Sequence, residues 1–150
     1  MVYEALDGNA LVSCDPSKLD IDRIHAFLTA SYWAEDVSRE TVARSIENSI
    51  PFGLYFSGEQ VAFARVITDR ASYAYLADVF VEEPFRGRGF SKTLLAAVMA
   101  HPELQGLRRW LLGTRDAHGL YRQFGFEQLW SPGRWMEKAD SALYEHEIGS

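Results

Sequence analysis

The stretch "VEEPFRGRGFSKTLLAAVM", residues 81–99, constrains the fold more than any other part of the chain. The segment before it, "YAYLADVFV" (Tyr73 to Val81), is apolar and rich in β-formers, the pattern of a buried strand. After it, Leu94, Leu95, Val98 and Met99 make one apolar face of a helix from about Phe90 to Ala100, which His101 and Pro102 stop. Between strand and helix, Arg86, Arg88 and Lys92 sit with Gly87 and Gly89 in seven residues that include no acid. A strand must therefore turn into a helix through a basic, conformationally free link. The whole chain carries a net charge of −6, so this basicity is local.

The remaining segments extend the pattern in both directions. "ALVSC" (Ala10 to Cys14) reads as a short strand. Asp15 and Pro16 then open a helix whose apolar residues Leu19, Ile21, Ile24, Phe27 and Leu28 recur at helical spacing. Ser38 is a good N-cap for a second helix with Thr41 and Val42 early and Ile46 facing inward. "FGLYFSGEQVAFARVI" reads as a hairpin turning at Ser57 and Gly58. "RRWLLGT" (Arg108 to Thr114) is a buried strand. "DAHGLYRQFGF" is a short helix stopped by Gly125, and "FEQLW" and "RWMEKA" suit a closing pair of strands around Pro132 and Gly133. The sum is an α/β chain with a mixed sheet and helices on its faces.

With 150 residues and no linker, repeat or low-complexity stretch, residues 1–150 read as a single domain. Such a domain buries roughly 70% of its unfolded surface. Its acidity argues against nucleic-acid or anionic-membrane binding. The lone Cys14 packs rather than reacts, and its inability to form an internal disulfide fits a cytoplasmic location. No Cys/His cluster has metal spacing, so no metal is expected. The start "MVYEALDGNALV" is not a signal peptide and no run is long enough for a membrane span.

The basic link admits several readings. A helix start has unpaired N–H groups and partial positive charge, and glycines let an anion come close. The link is thus suited to cradle a pyrophosphate, or it is simply a solvated basic turn. P-loop spacing fails, and a dinucleotide fingerprint would need glycine where Lys92 stands.

Arg86-Gly87-Arg88-Gly89-Phe90-Ser91 resembles the acyl-CoA signature of the GNAT superfamily of N-acetyltransferases, with Ser91 at the last small position. Ala117-His118-Gly119-Leu120-Tyr121-Arg122-Gln123-Phe124-Gly125-Phe126 resembles that superfamily's second motif. The two lie in the right order with a helix and a strand between them. The resemblance implies the GNAT fold, a mostly antiparallel sheet with a V-shaped split between two parallel strands. It implies acetyl-CoA as co-substrate, held by the main chain of Val79 and Val81 and by Arg86, Gly87, Arg88, Gly89, Phe90, Ser91 and Lys92. It implies Tyr121 as general acid toward the leaving thiolate. Asp78, the one acid in its strand, resembles the acid found there in polyamine acetyltransferases and is the candidate base, or else an arginine's partner. Tyr75, Glu82 and Glu83 are the alternatives. Tyr32, Trp33 and Tyr75 are candidates for the acceptor site, with Glu35 and Asp36 able to hold a cation or merely to cap.

The expected activity is N-acetylation of a small-molecule primary amine by direct attack on the thioester. A non-catalytic acyl-CoA or metabolite-binding module and a protein N-acetyltransferase are the alternatives. The identity of the amine and a homodimeric state stay open.

Overall fold

The computed structural model describes residues 2–140. Six strands form one sheet in the order of the chain: β1 (Glu4–Asp7), β2 (Ala10–Ser13), β3 (Ile50–Phe56), β4 (Glu59–Thr68), β5 (Tyr73–Val81) and β6 (Arg109–Leu111). The first five pair antiparallel, and β6 runs parallel to β5. This is the mixed sheet that the sequence predicts.

Helices α1 (Ile21–Thr29) and α2 (Arg39–Glu47) cover one face. Each begins where a side chain can satisfy a free backbone donor. Asp20 accepts from the Arg23 N–H at 3.1 Å, and Ser38 accepts from the Thr41 N–H at 3.1 Å. Each then places an i, i+4 pair inward, Ile24 with Leu28 and Val42 with Ile46, against Phe63 and Phe80. Helix α3 (Phe90–Ala100) covers the other face, packing Leu94, Leu95 and Val98 onto Val12, Phe52, Leu54, Ala64, Val66, Ala74 and Leu76. A short α4 (His118–Arg122) follows β6.

One irregularity sets up the site. Phe63 pairs with Phe80 but Arg65 pairs with Ala77, so β5 spends one residue more than β4 over this interval. The extra residue is a β-bulge at Asp78, which has a positive φ of 56°. A one-residue slip reverses the faces of a strand. Ala74 and Leu76 before the bulge face the α3 core; beyond it Val79 and Val81 pack there instead, and Phe80 turns to the α1–α2 core. The parallel pairing stops just short of this bulge, with Tyr75 opposite Leu111 as the last pair. The two strands part beyond it.

The structure departs from expectation at four points. Strand β1 was not anticipated; it adds an edge joined to β2 through Gly8, which has φ 60°. The helix expected from Asp15 and Pro16 begins only at Ile21, because Pro16–Lys18 forms a separate 3-10 turn. The closing strands do not form. Pro132–Arg134 is a 3-10 turn, and Trp130 and Met136 stand 86% and 96% exposed. An alternating pattern that buries so little cannot offset the ordering of a strand. Strand β6 is likewise confined to three residues of the expected Arg108–Thr114, since β5 leaves it after Tyr75.

Candidate active site

The basic link leaves β5 through a 3-10 turn at Glu83–Phe85 and enters α3 through Gly89. Gly87 and Gly89 have φ of 79° and 80°, a conformation that only glycine adopts freely. A Cβ at either position would meet nothing within 4 Å, so the glycines face open space. The first helical N–H groups, at Phe90, Ser91 and Lys92, have no partner within the helix. Gly89 has no side chain to cap them. Thr93 is the first residue whose N–H returns to the turn, at 3.1 Å from the Gly89 carbonyl. Arg86 donates from Nε to the Val81 carbonyl at 2.9 Å, and the Arg88 guanidinium lies over the Phe85 ring at 5.5 Å. Arg88 and Lys92 are exposed. These features fit an anionic phosphate group: an open cradle, free donors and positive charge.

From this cradle the parted edge of β5, with Val79 and Val81, leads back toward Tyr75. The Tyr75 hydroxyl lies 3.7 Å from where a Cβ on Gly113 would stand, so its ring reaches the segment that follows β6. Burial raises the pKa of Tyr75, with Tyr73 and Asp78 adding to the effect.

Asp78 sits on the opposite side of the bulged strand from the α3 core. Its Oδ1 accepts from Trp33 Nε1 at 2.9 Å, and its Oδ2 accepts from Arg65 Nε at 2.9 Å. Arg65 donates from a second nitrogen to Ser49 Oγ at 3.0 Å. The side chains of Arg65 and Asp78 are only 14% and 12% exposed. The acid that stands alone in its strand is thus matched by the one cation of the adjacent strand. Of the alternatives, Glu82 is held by Arg23 through two bonds from Nε at 2.8 and 2.9 Å and a further contact from the guanidinium, while Glu83 is exposed.

Trp33 belongs to the loop between α1 and α2 and packs against the α1–α2 core. Its neighbour Tyr32 meets it edge-on, with ring centroids 5.2 Å apart. The Arg115 guanidinium lies 4.0 Å above the Tyr32 ring. Glu35 and Asp36 are exposed in the same loop.

Tyr121 lies on α4, buried, with its ring edge-on to Phe126 at 6.0 Å. Its hydroxyl makes no hydrogen bond to another described residue. Burial, with a smaller contribution from Tyr32, pushes its pKa up to about 12. It lines a cavity of about 720 Å³ with Leu111, Leu112, Gly113 and Phe126. The glycine link is not part of that lining; it is a surface cradle. Cys14 is buried and its thiol is pushed up to about 12, as a packing residue should be. Among the described residues no three His, Cys, Asp or Glu side chains gather as a metal site, and no helix is long and apolar enough to cross a membrane.

The structure thus brings Tyr32, Trp33 and Asp78 into one chain of contacts, with Tyr75 and Tyr121 close by. The glycine link lies at the open end of the split. Two residues of this neighbourhood were missed. Arg65 carried a signal, being the only charge in "VAFARVI", the same feature that singles out Asp78. Arg115 carried none.

The split mixed sheet with a glycine-opened helix beside it defines an acyltransferase fold of the GNAT type. A profile of the acetyltransferase (GNAT) family matches residues 19–126, and the chain belongs to that family. A Xanthomonas campestris structure described as a GNAT-family acetyltransferase is 52% identical, with a TM-score of 0.87 over 90% of this chain and 96% of that one. A Gibberella zeae protein named as an acetyltransferase is 33% identical over 137 residues, 76% of each chain. The ribosomal-protein-S18-alanine N-acetyltransferase of Escherichia coli shares the fold at 22% identity, with a TM-score of 0.61 over 80% of this chain and 79% of that one.

Proposed function

We propose that this acetyltransferase uses acetyl-CoA to acetylate the primary amine of a small molecule. The observation that carries the reading is the parted β5 edge, with the open glycine cradle at one end and Tyr121, lining the cavity beside Leu111, Leu112 and Gly113, near the other. Bound acetyl-CoA would supply the acetyl group as a thioester, its pyrophosphate on the Gly87–Lys92 amides and its pantetheine arm along Val79 and Val81, as an added strand would lie.

Attack by the amine nitrogen exchanges a C–S bond for a C–N bond. The departing sulfur needs a proton and the nitrogen must lose one. With a pKa near 12, Tyr121 keeps its proton throughout the neutral range. Full transfer to a thiolate, whose own pKa is about 8.5, is uphill. Tyr121 therefore acts by donating a hydrogen bond to the charge growing on sulfur, and the proton lost by the amine completes the thiol. Asp78 enters this reading as the anchor of Trp33. Taking up a proton would leave the nearly buried Arg65 unmatched, so direct base catalysis is the weaker role for it.

The test is acetyl-CoA-dependent thiol release across an amine library, with mass spectrometry of the products. Acetylated amines support the reading. Tight CoA binding with no amine turned over would leave a binding module, and acetylation confined to peptide N-termini or lysines would leave a protein acetyltransferase.

A further inference from the structure

Arg115 stands out among the charges near Tyr121. It is exposed and forms none of the ion pairs found among the described residues. Asp116, its sequence neighbour, is exposed and does not pair with it. Its guanidinium instead lies on the face of Tyr32, 4.0 Å from the ring centroid. Stacking occupies the flat face of a guanidinium and leaves its in-plane N–H donors free.

Both partners are held in place. The Tyr32 loop is tied by Ser31 Oγ donating to the Leu28 carbonyl at 2.7 Å, by the Ala34 N–H donating to Ser31 Oγ at 3.2 Å, and by the Asp36 N–H donating to the Thr29 carbonyl at 3.0 Å. Trp33 is fixed to Asp78, which is itself neutralised by Arg65. On the other side, Thr114 Oγ1 accepts from the Ala117 N–H at 3.1 Å and sets the turn that carries Arg115. Thr114, the residue before Arg115, lines the same cavity as Tyr121, which puts this pair beside the proposed reaction centre. A cation with no ion-pair partner among the described residues, held against a fixed ring near the Tyr121 cavity, is a ready anion clamp.

We propose that Arg115, laid on Tyr32, is the anion subsite of the acceptor pocket, and that the acceptor is an amine that also bears a carboxylate, an amino acid being the simplest case. One guanidinium matches a monoanionic carboxylate in charge and in its two-pronged geometry. This rests on the N-acetyltransferase reading above.

The experiment uses the whole enzyme with acetyl-CoA and matched pairs, each an amino acid and its carboxamide, compared at equal free-amine concentration. The parent should favour the acid by about tenfold or more in kcat/KM. Arg115→Ala should raise KM for the acid by about 10- to 100-fold, the loss of a hydrogen-bonded charge pair. The loss on the carboxamide should be several-fold smaller, the affinity for CoA should hold, and Arg115→Lys should fall between. A parent that uses carboxamides as well as acids overturns the inference while leaving the N-acetyltransferase reading intact. Equal losses on both members of a pair, or lost CoA affinity in Arg115→Ala, also overturn it. So does a preference for an aminoalkyl phosphate over the matching acid. If no amine of any kind is acetylated, both readings fall together.

Discussion

Removing the Asp78 carboxylate tests how the bulge, the ion pair and the Trp33 loop depend on one another. In Asp78→Ala the Arg65 guanidinium, 14% exposed, loses its counter-charge. Orphaning one member of a buried pair costs about 3–5 kcal/mol, and the residual exposure favours the low end, about 3. The Trp33 N–H loses its acceptor, worth about 1 kcal/mol. Alanine at φ 56° adds about 1 kcal/mol over a residue that tolerates the left-handed region. The total is about 5 kcal/mol, a large share of the ~5–15 kcal/mol that holds an ordinary domain together. Urea unfolding, with the slope checked for constancy, is the measurement. Asp78→Gly should be less damaging than Asp78→Ala by about 1 kcal/mol, because glycine relieves the backbone. Adding Arg65→Met to Asp78→Ala should recover about 2 kcal/mol, because the orphaned charge is gone. If Asp78→Ala and Arg65→Met simply add, within about 0.5 kcal/mol, the two are not coupled and the clasp is wrong.

Three other outcomes are expected. Gly89→Asp, which puts bulk and negative charge into the open cradle, should weaken CoA binding by about tenfold or more in calorimetry; parent-like affinity would remove the cradle from the site. Tyr121→Phe should slow the chemical step by on the order of 10²-fold in single turnover. Its thermal stability should barely change, since the lost hydroxyl has no hydrogen-bond partner among the described residues, and equal single-turnover rates would make Tyr121 a packing residue. Buried His101, whose Nδ1 accepts from the Glu103 N–H at 3.0 Å, has its pKa lowered mainly by desolvation. The unfolded state then binds the proton more readily than the folded one. Stability should therefore decline as pH falls below about 6.5 and level off beneath the folded pKa, and a parent-like slope in His101→Gln would assign that decline elsewhere.

The parts of the fold that the sequence made legible were those governed by neighbours along the chain. Ser57 and Gly58 take positive φ and turn the hairpin where expected, and Phe90–Ala100 is helical over the span its apolar face predicts. Strand β1 was hidden because its four residues are mostly exposed at a sheet edge and show no alternation. The final strands were over-read for the converse reason, alternation without a surface to bury against. In the site, the glycine cradle could be read because its conformational demand is local. That Asp78 would partner an arginine was among the readings, and Arg65 is that arginine; which face the pair occupies could not be read, because it depends on the bulge at Asp78. The contact between Arg115 and Tyr32 depends on two loops far apart in sequence.

The gap between β5 and β6 has a consequence beyond catalysis. Past Tyr75, the inner edge of β5 has no β6 residue paired to it. Such an edge is a template for any extended chain, including another copy of this protein in the course of folding or heating. A co-substrate that lies along it as a strand would also act as its cover. The colloidal behaviour of the protein would then follow its occupancy. Purification without ligand would select for the unguarded form.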